Sequence, residues 1–176
     1  MRDYLNLREK VDAEFDRLSN KHQREVSCDV GCHDCCAPSL SVTRVEADQI
    51  KAFLHGRPEL IERLQSLALE NPYKGTRCSL LNADGHCLIY EVRPIVCRSH
   101  GVPVLVQIDE KHEGLDACPK NFTHGLDMLD VGDWINVDTL NTMTALIDWR
   151  YALDQERQKP DPETDRVLLS VDKLLG

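Results

Sequence analysis

Residues 27–37 read SCDVGCHDCCA, so Cys28, Cys32, Cys35 and Cys36 fall within a single short loop's length of chain. Four sulfurs that close together must be cross-linked, chemically reactive or bound to metal, and each choice dictates a different fold. Size argues against the first. A chain of 176 residues can bury roughly two-thirds of its unfolded surface and needs no covalent staple to fold. Its eight cysteines are well short of the density of small disulfide-built secreted domains. The opening MRDYLNLREKVDAEF is charged throughout, unlike a signal peptide, and no stretch approaches the roughly 20 apolar residues of a membrane span. The expectation is therefore a cytoplasmic, reducing setting in which thiols serve as metal ligands or reactive groups.

Charge and aromatic content exclude other partners. A formal charge of −9 opposes phosphate binding, and five per cent aromatic residues leave little for base stacking. Nucleic acid and anionic membrane are not expected partners; a metal ion is.

Helices bracket the cysteine-rich middle, and the whole reads as a single domain. Tyr4, Leu7, Val11, Phe15 and Leu18 recur at helical spacing, which predicts an N-terminal helix within residues 1–27. Residues 28–125 form the metal-binding region, interrupted by a helical insertion at 43–71. There Thr43 and Glu46 have capping-box spacing, Gly56 ends the first helix, and Asn71-Pro72 closes the second, whose stripe is Leu60, Ile61, Leu64, Leu67 and Ala68. Asp84-Gly85 lies midway between Cys78 and Cys87, and a hairpin turned there would bring the two sulfurs together. VPVLVQID reads as a short strand that Pro103 restricts to an edge or to the strand's first residues. Residues 126–176 are read as C-terminal helices, one of them running from Val137 to about Gln155 on a stripe of Leu140, Met143, Ile147 and Tyr151, and one in TDRVLLSVDKLLG. The fold class is thus mainly α, with a loop-rich, cysteine-ligated core and a short β-hairpin.

The candidate ligands are Cys28, Cys32, Cys35, Cys36, Cys78, Cys87, Cys97 and Cys118. Thiolates two or three residues apart on a turn can converge on one ion, and Gly31 supplies the backbone freedom for such a turn. Adjacent Cys35 and Cys36 point apart more easily than together, which suits two four-sulfur sites; a single site with spare cysteines is the alternative. Cys28, Cys32 and Cys35 also have the Cys-x3-Cys-x2-Cys spacing of radical S-adenosylmethionine enzymes. Asp34 stands where that motif carries an aromatic residue, a fourth cysteine follows at once, and no train of strand–helix units supports the reading.

Cys-x3-Cys-x2-Cys-Cys followed by CSLLNADGHCLIYEVRPIVCRSHG, with Tyr90, Glu91, Arg93, Pro94, Cys97 and Arg98 in place and Cys118 as the late cysteine, resembles the YkgJ-like cysteine-cluster family. The resemblance spans roughly residues 28–120 and implies a bacterial cytoplasmic protein that chelates zinc or iron through these cysteines. A flagellin lysine methylase carries a related cluster within a longer chain, so the resemblance also implies an alternative in which an iron-sulfur cluster supports electron transfer or an enzymatic step.

Other side chains have plainer expected roles. Arg93 and Arg98 flank Cys97 and can either offset thiolate charge or form ion pairs, Glu91 being one partner. His100 is expected to face solvent or support a ligand, and His33 and His86 are weaker ligand candidates still. Tyr90 is expected either over the site or, as is the default for an aromatic in an apolar run, in the core. Asp127, Asp130 and Asp133 lack calcium-loop spacing and read as a solvated turn and helix cap. Trp134, Met143 and Trp149 read as helix packing, and Cys97, beside Arg98 and His100, is the one candidate nucleophile.

Overall fold

Tyr4, Leu7, Val11 and Leu18 are all buried along one side of a 20-residue helix, as their spacing requires. The computed structural model describes the chain except Val30, Asn71, Pro72 and Lys74. In chain order the elements are α1 (Arg2–Lys21), β1 (Ser41–Val42), α2 (Arg44–His55), α3 (Pro58–Leu69), α4 (Ile95–Ser99), β2 (Val104–Gln107), β3 (Glu113–Asp116), β4 (Ile135–Asn136), α5 (Val137–Asp154), β5 (Val167–Leu168) and α6 (Val171–Leu175). A 3₁₀ turn over Tyr90–Val92 precedes α4. The chain divides into two compact units, one of residues 30–94 and 145–176, the other of residues 2–29 and 95–144.

The first unit is built on α2 and α3. Thr43 and Glu46 form the expected capping box, the Thr43 amide donating to the Glu46 carboxylate at 2.9 Å. The buried Asp148 carboxylate from α5 also accepts from the Val45 amide at 2.7 Å, so two acidic groups serve the helix's first turn. Pro58 opens α3 at its first turn, where a missing N–H costs nothing, and the Asn71-Pro72 stop lies outside the described residues. Val42, Ala47, Ile50, Leu54 and Leu64 pack with Leu80, Leu81, Ile89, Leu169 and Leu174 into the main apolar cluster, and Cys78 belongs to it. β1 pairs antiparallel with β5, and this puts a strand where the sequence reading expected part of a last helix. Only the short α6 remains helical there, because Arg166 donates to the Ser41 carbonyl at 2.6 Å and Leu169 N to Leu40 O at 2.7 Å, holding the segment extended.

The second unit sets α1 against α4 beside a three-stranded sheet of order β3-β2-β4. β2 starts directly after Pro103 and is the central strand, antiparallel to β3 and parallel to β4. Proline therefore stands at the start of the strand, one of the two expected places, and its carbonyl accepts from the Ile135 amide at 2.9 Å. Asp133 is 2% exposed. Lys21, at the end of α1, donates to both its carboxylate oxygens at 2.7 and 2.8 Å, and the Asp130 amide adds a third bond at 3.2 Å. The acidic loop is thus no solvated turn at Asp133, and the cap of α5 is Asn136, whose Oδ1 accepts from the Thr139 amide.

Lys21 holds the Asp133 carboxyl below its usual range. A depressed folded value means that the stabilisation is complete above the unfolded value, about 3.9, and disappears as pH falls through the folded one. Asp133→Ala should therefore lower the melting temperature by about 3–10 °C at pH 7. Melting curves of wild type and variant should draw together as the pH falls below the unfolded value and through the folded one. A gap that stays constant through that fall would show that the carboxylate's charge is not what matters.

The stripe expected to be buried on α5 is only partly so. Thr144, Asp148 and Ala152 are the buried residues, while Met143, Leu146, Trp149 and Leu153 are between 37 and 55% exposed. Asp148, bonded to the α2 terminus, lies on the buried face, and Leu140, Ile147 and Tyr151 of the expected stripe are half-buried. Trp149 and Met143 consequently do not pack as core; the Lys159 ammonium lies 4.8 Å from the Trp149 ring.

Candidate metal centre

The cysteines of the first unit are drawn together by backbone hydrogen bonds before any sulfur chemistry is considered. The Asp84-Gly85 turn forms as expected: Asn82 N donates to His86 O, Leu88 N donates to Leu80 O, and Leu81 bridges Cys87 antiparallel. Gly85 adopts φ +79°, where glycine is favoured. The cysteine loop lies along this hairpin. Cys78 N donates to Cys36 O at 2.9 Å, and Arg77 donates to Asp34 O at 2.5 Å while pairing with the Asp34 carboxylate.

Four of these thiols sense one another. Cys36 is hydrogen-bonded to the Cys35 sulfur, half-buried, and close enough to Cys35, Cys78 and Cys87 for their charges to act on it; all these effects push its ionisation strongly upward. Burial raises Cys78 as well, against a hydrogen bond from the Leu80 amide. Burial, then the neighbouring Cys78, pushes Cys87 up to about 11, against the opposing pull of the Ile89 amide and Arg93. Thiolates crowded in an apolar wall repel one another and lack solvent, and a bound cation removes both penalties. The donor set therefore fits a thiophilic metal. Cys32 and Cys35 are exposed on the same loop.

The second unit holds Cys28, Cys97 and Cys118. Cys97 lies in the short α4 and Cys118 in a turn closed by the Asn121 amide donating to the Cys118 carbonyl at 2.8 Å. Cys28 Sγ accepts from the Asn121 side-chain amide at 3.3 Å. Gly101, at φ +112°, leaves room for that sulfur: a Cβ there would come within 2.7 Å of it. Among the described residues, no group of three or more His, Cys, Asp or Glu side chains already converges on a point that an ion could fill.

Residues 27–119 match the model of the CxxCxxCC family, described as a "Putative zinc- or iron-chelating domain". The chain belongs to the CxxCxxCC family. The match takes in all eight cysteines and crosses both units. No curated protein and no solved structure matches the chain. No helix among the described residues of this CxxCxxCC protein is long and apolar enough to cross a membrane.

Several expected roles change on the structure. Arg98 is 5% exposed and grips Asp12 of α1 through two bonds of 2.6 and 2.7 Å, so it ties α4 to α1. Arg93 stacks 4.1 Å from the Tyr90 ring and acts on Cys87. Tyr90 is 60% exposed and is a platform for that arginine, not a core residue. The His100 ring faces the Val96 carbonyl and is exposed to solvent. His33 donates from Nδ1 to the Gly31 carbonyl at 2.9 Å and stacks on Tyr73. Asn121 and Gly101 escaped the sequence reading. A single buried asparagine carries no spacing signal, and Gly101 looks like any turn glycine until the sulfur above it is seen.

Proposed function

We propose that the protein is a metal-binding module with two thiolate centres. Cys35, Cys36, Cys78 and Cys87 make one and Cys28, Cys97 and Cys118 contribute to the other, with zinc as the resident metal of the first and a structural role for it. Cys32 is the remaining ligand candidate. The carrying observation is the Cys36 thiol, hydrogen-bonded to Cys35 and flanked by Cys78 and Cys87 at the edge of the main apolar cluster. A four-thiolate zinc site contributes folding energy directly, because the ligands are brought together only in the folded chain. Three thiols leave one tetrahedral position of the second centre for a further donor. When bound, the metal supplies positive charge; the chain supplies the hairpin, Arg77 and the 36–78 backbone bond that keep the ligands in register.

A second reading, iron or an iron-sulfur cluster, is favoured at Cys28, because hydrogen bonds to ligand sulfur are a recognised means of tuning cluster potential. Elemental analysis and a visible spectrum of anaerobically purified protein separate the readings. Two zinc equivalents and no colour support the first; iron with visible thiolate-to-iron charge-transfer absorption supports the second. Chelation should lower the melting temperature and reduce helical circular dichroism. An unchanged melt after complete metal removal overturns the structural role.

A further inference from the structure

We infer that Asn121 is a positioning residue for the second centre, one side chain that fixes Cys28 against the segments carrying Cys97 and Cys118. The inference rests on the metal reading of the second unit. Asn121 is 3% exposed, and both polar atoms of its side chain are committed. Its Nδ2 donates to the Gly101 carbonyl at 2.6 Å and to Cys28 Sγ at 3.3 Å; its Oδ1 accepts from the Ser27 amide at 2.8 Å; its own amide donates to the Cys118 carbonyl at 2.8 Å. Three stretches far apart in sequence meet on this residue: the one running into Cys28, the one leaving α4 after Cys97, and the turn that begins at Cys118.

The geometry goes beyond what a loop staple needs. Holding the turn to the chain before Cys28 would take only the Ser27 and Gly101 bonds. The remaining N–H reaches the sulfur itself, and Gly101 is the residue whose missing Cβ permits that approach. An N–H donor shared with a ligand sulfur fixes the rotamer of the cysteine and draws off part of its negative charge. Such outer-sphere partners typically change metal affinity about 10–100-fold when removed.

A double-mutant cycle with cobalt tests this. Cobalt is titrated into metal-free wild type, Asn121→Ala, Cys28→Ser and the double variant, following thiolate-to-cobalt absorption, with circular dichroism as the check on folding. Asn121→Ala should weaken one of the two cobalt equivalents about 10–100-fold and shift its charge-transfer band, and should change affinity less than about twofold when Cys28 is already serine. Asn121→Asp keeps the acceptor for Ser27 and removes both N–H donors, so it carries the same comparison if Asn121→Ala does not fold. Equal losses in both backgrounds, or no loss in either, overturn the role at Cys28 while leaving the metal centre standing. A folded wild type that takes up no cobalt overturns the centre and this inference with it.

Discussion

Cys36→Ser should remove one metal equivalent, leave the other in place, and lower the melting temperature of the loaded protein by on the order of 10 °C. The expectation follows from where Cys36 sits. It is the thiol on which Cys35, Cys78 and Cys87 all act, and its carbonyl accepts the Cys78 amide, so it joins the cysteine loop to the hairpin. Structural zinc in small domains is bound with roughly 10–16 kcal/mol of apparent free energy, and losing one of four thiolates forfeits several kcal/mol of it. At about 2–4 °C per kcal/mol for a chain of this size, the stated shift results. Serine keeps the backbone bond to Cys78 and nearly the same volume, which limits the loss to the ligand. Cys28→Ser is the complementary control and should weaken the other equivalent while leaving the first in place. Metal counted by elemental analysis across the two variants decides the matter: loss of both equivalents, or of neither, from Cys36→Ser refutes the division into two centres.

How the eight thiols divide was only half visible in the sequence. Adjacency of Cys35 and Cys36 predicts that they serve different sites, whereas the Cys36 thiol is hydrogen-bonded to Cys35. The Asp84-Gly85 turn predicts the hairpin that forms, in which Cys87 bridges Leu81 and is close enough to Cys78 to feel its charge. The assignment of Cys28 was not legible. Its neighbours in sequence, Cys32 to Cys36, lie in the first unit, yet Cys28 follows α1 into the second, held by Asn121 from more than ninety positions away. Local spacing reports only local geometry. Elements with a strong periodic face are legible for the same reason: α1 and α2 bury most of the residues their 3.6-residue period selects, while α3 buries Leu64, half-buries Leu60, Ile61 and Leu67, and leaves Ala68 exposed. α5 runs over almost the expected residues and half-buries Leu140, Ile147 and Tyr151 of its stripe, but Met143 is exposed, and the buried face carries Thr144, Asp148 and Ala152, with the Asp148 carboxylate bonded to the α2 terminus. The pairs β1-β5 and β2-β3 were missed because two-residue strands and a segment reading EGLD have no alternating pattern.

The largest effect outside the ligands should come from Gly85→Ala. Gly85 sits at the tip of the Cys78–Cys87 hairpin at φ +79°, a conformation that a residue with a Cβ adopts only at a cost of about 1 kcal/mol. Sterics add more. A Cβ there would lie 2.9 Å from His33 Cε1, closer still to His33 Nδ1, and 3.1 Å from the Gly31 carbonyl oxygen. His33 cannot simply swing aside, because its Nδ1 donates to that same carbonyl and its ring rests on Tyr73. The methyl group must therefore push the Gly31–Cys36 loop off the hairpin, and the loop carries Cys32, Cys35 and Cys36 with it. An overall destabilisation of about 2–4 kcal/mol is expected, together with weaker metal binding at the first centre and unchanged binding at the second. Gly56→Ala provides the contrast: a Cβ at Gly56 meets nothing within 4 Å and its φ is −91°, so that change should leave stability within about 0.5 kcal/mol of wild type. The decisive measurement is urea unfolding of both variants with and without metal. If Gly85→Ala costs the same few tenths as Gly56→Ala and retains its full metal complement, the loop and the hairpin are not interlocked, and the two-centre reading loses the contact that brings Cys36 to Cys78 and Cys87.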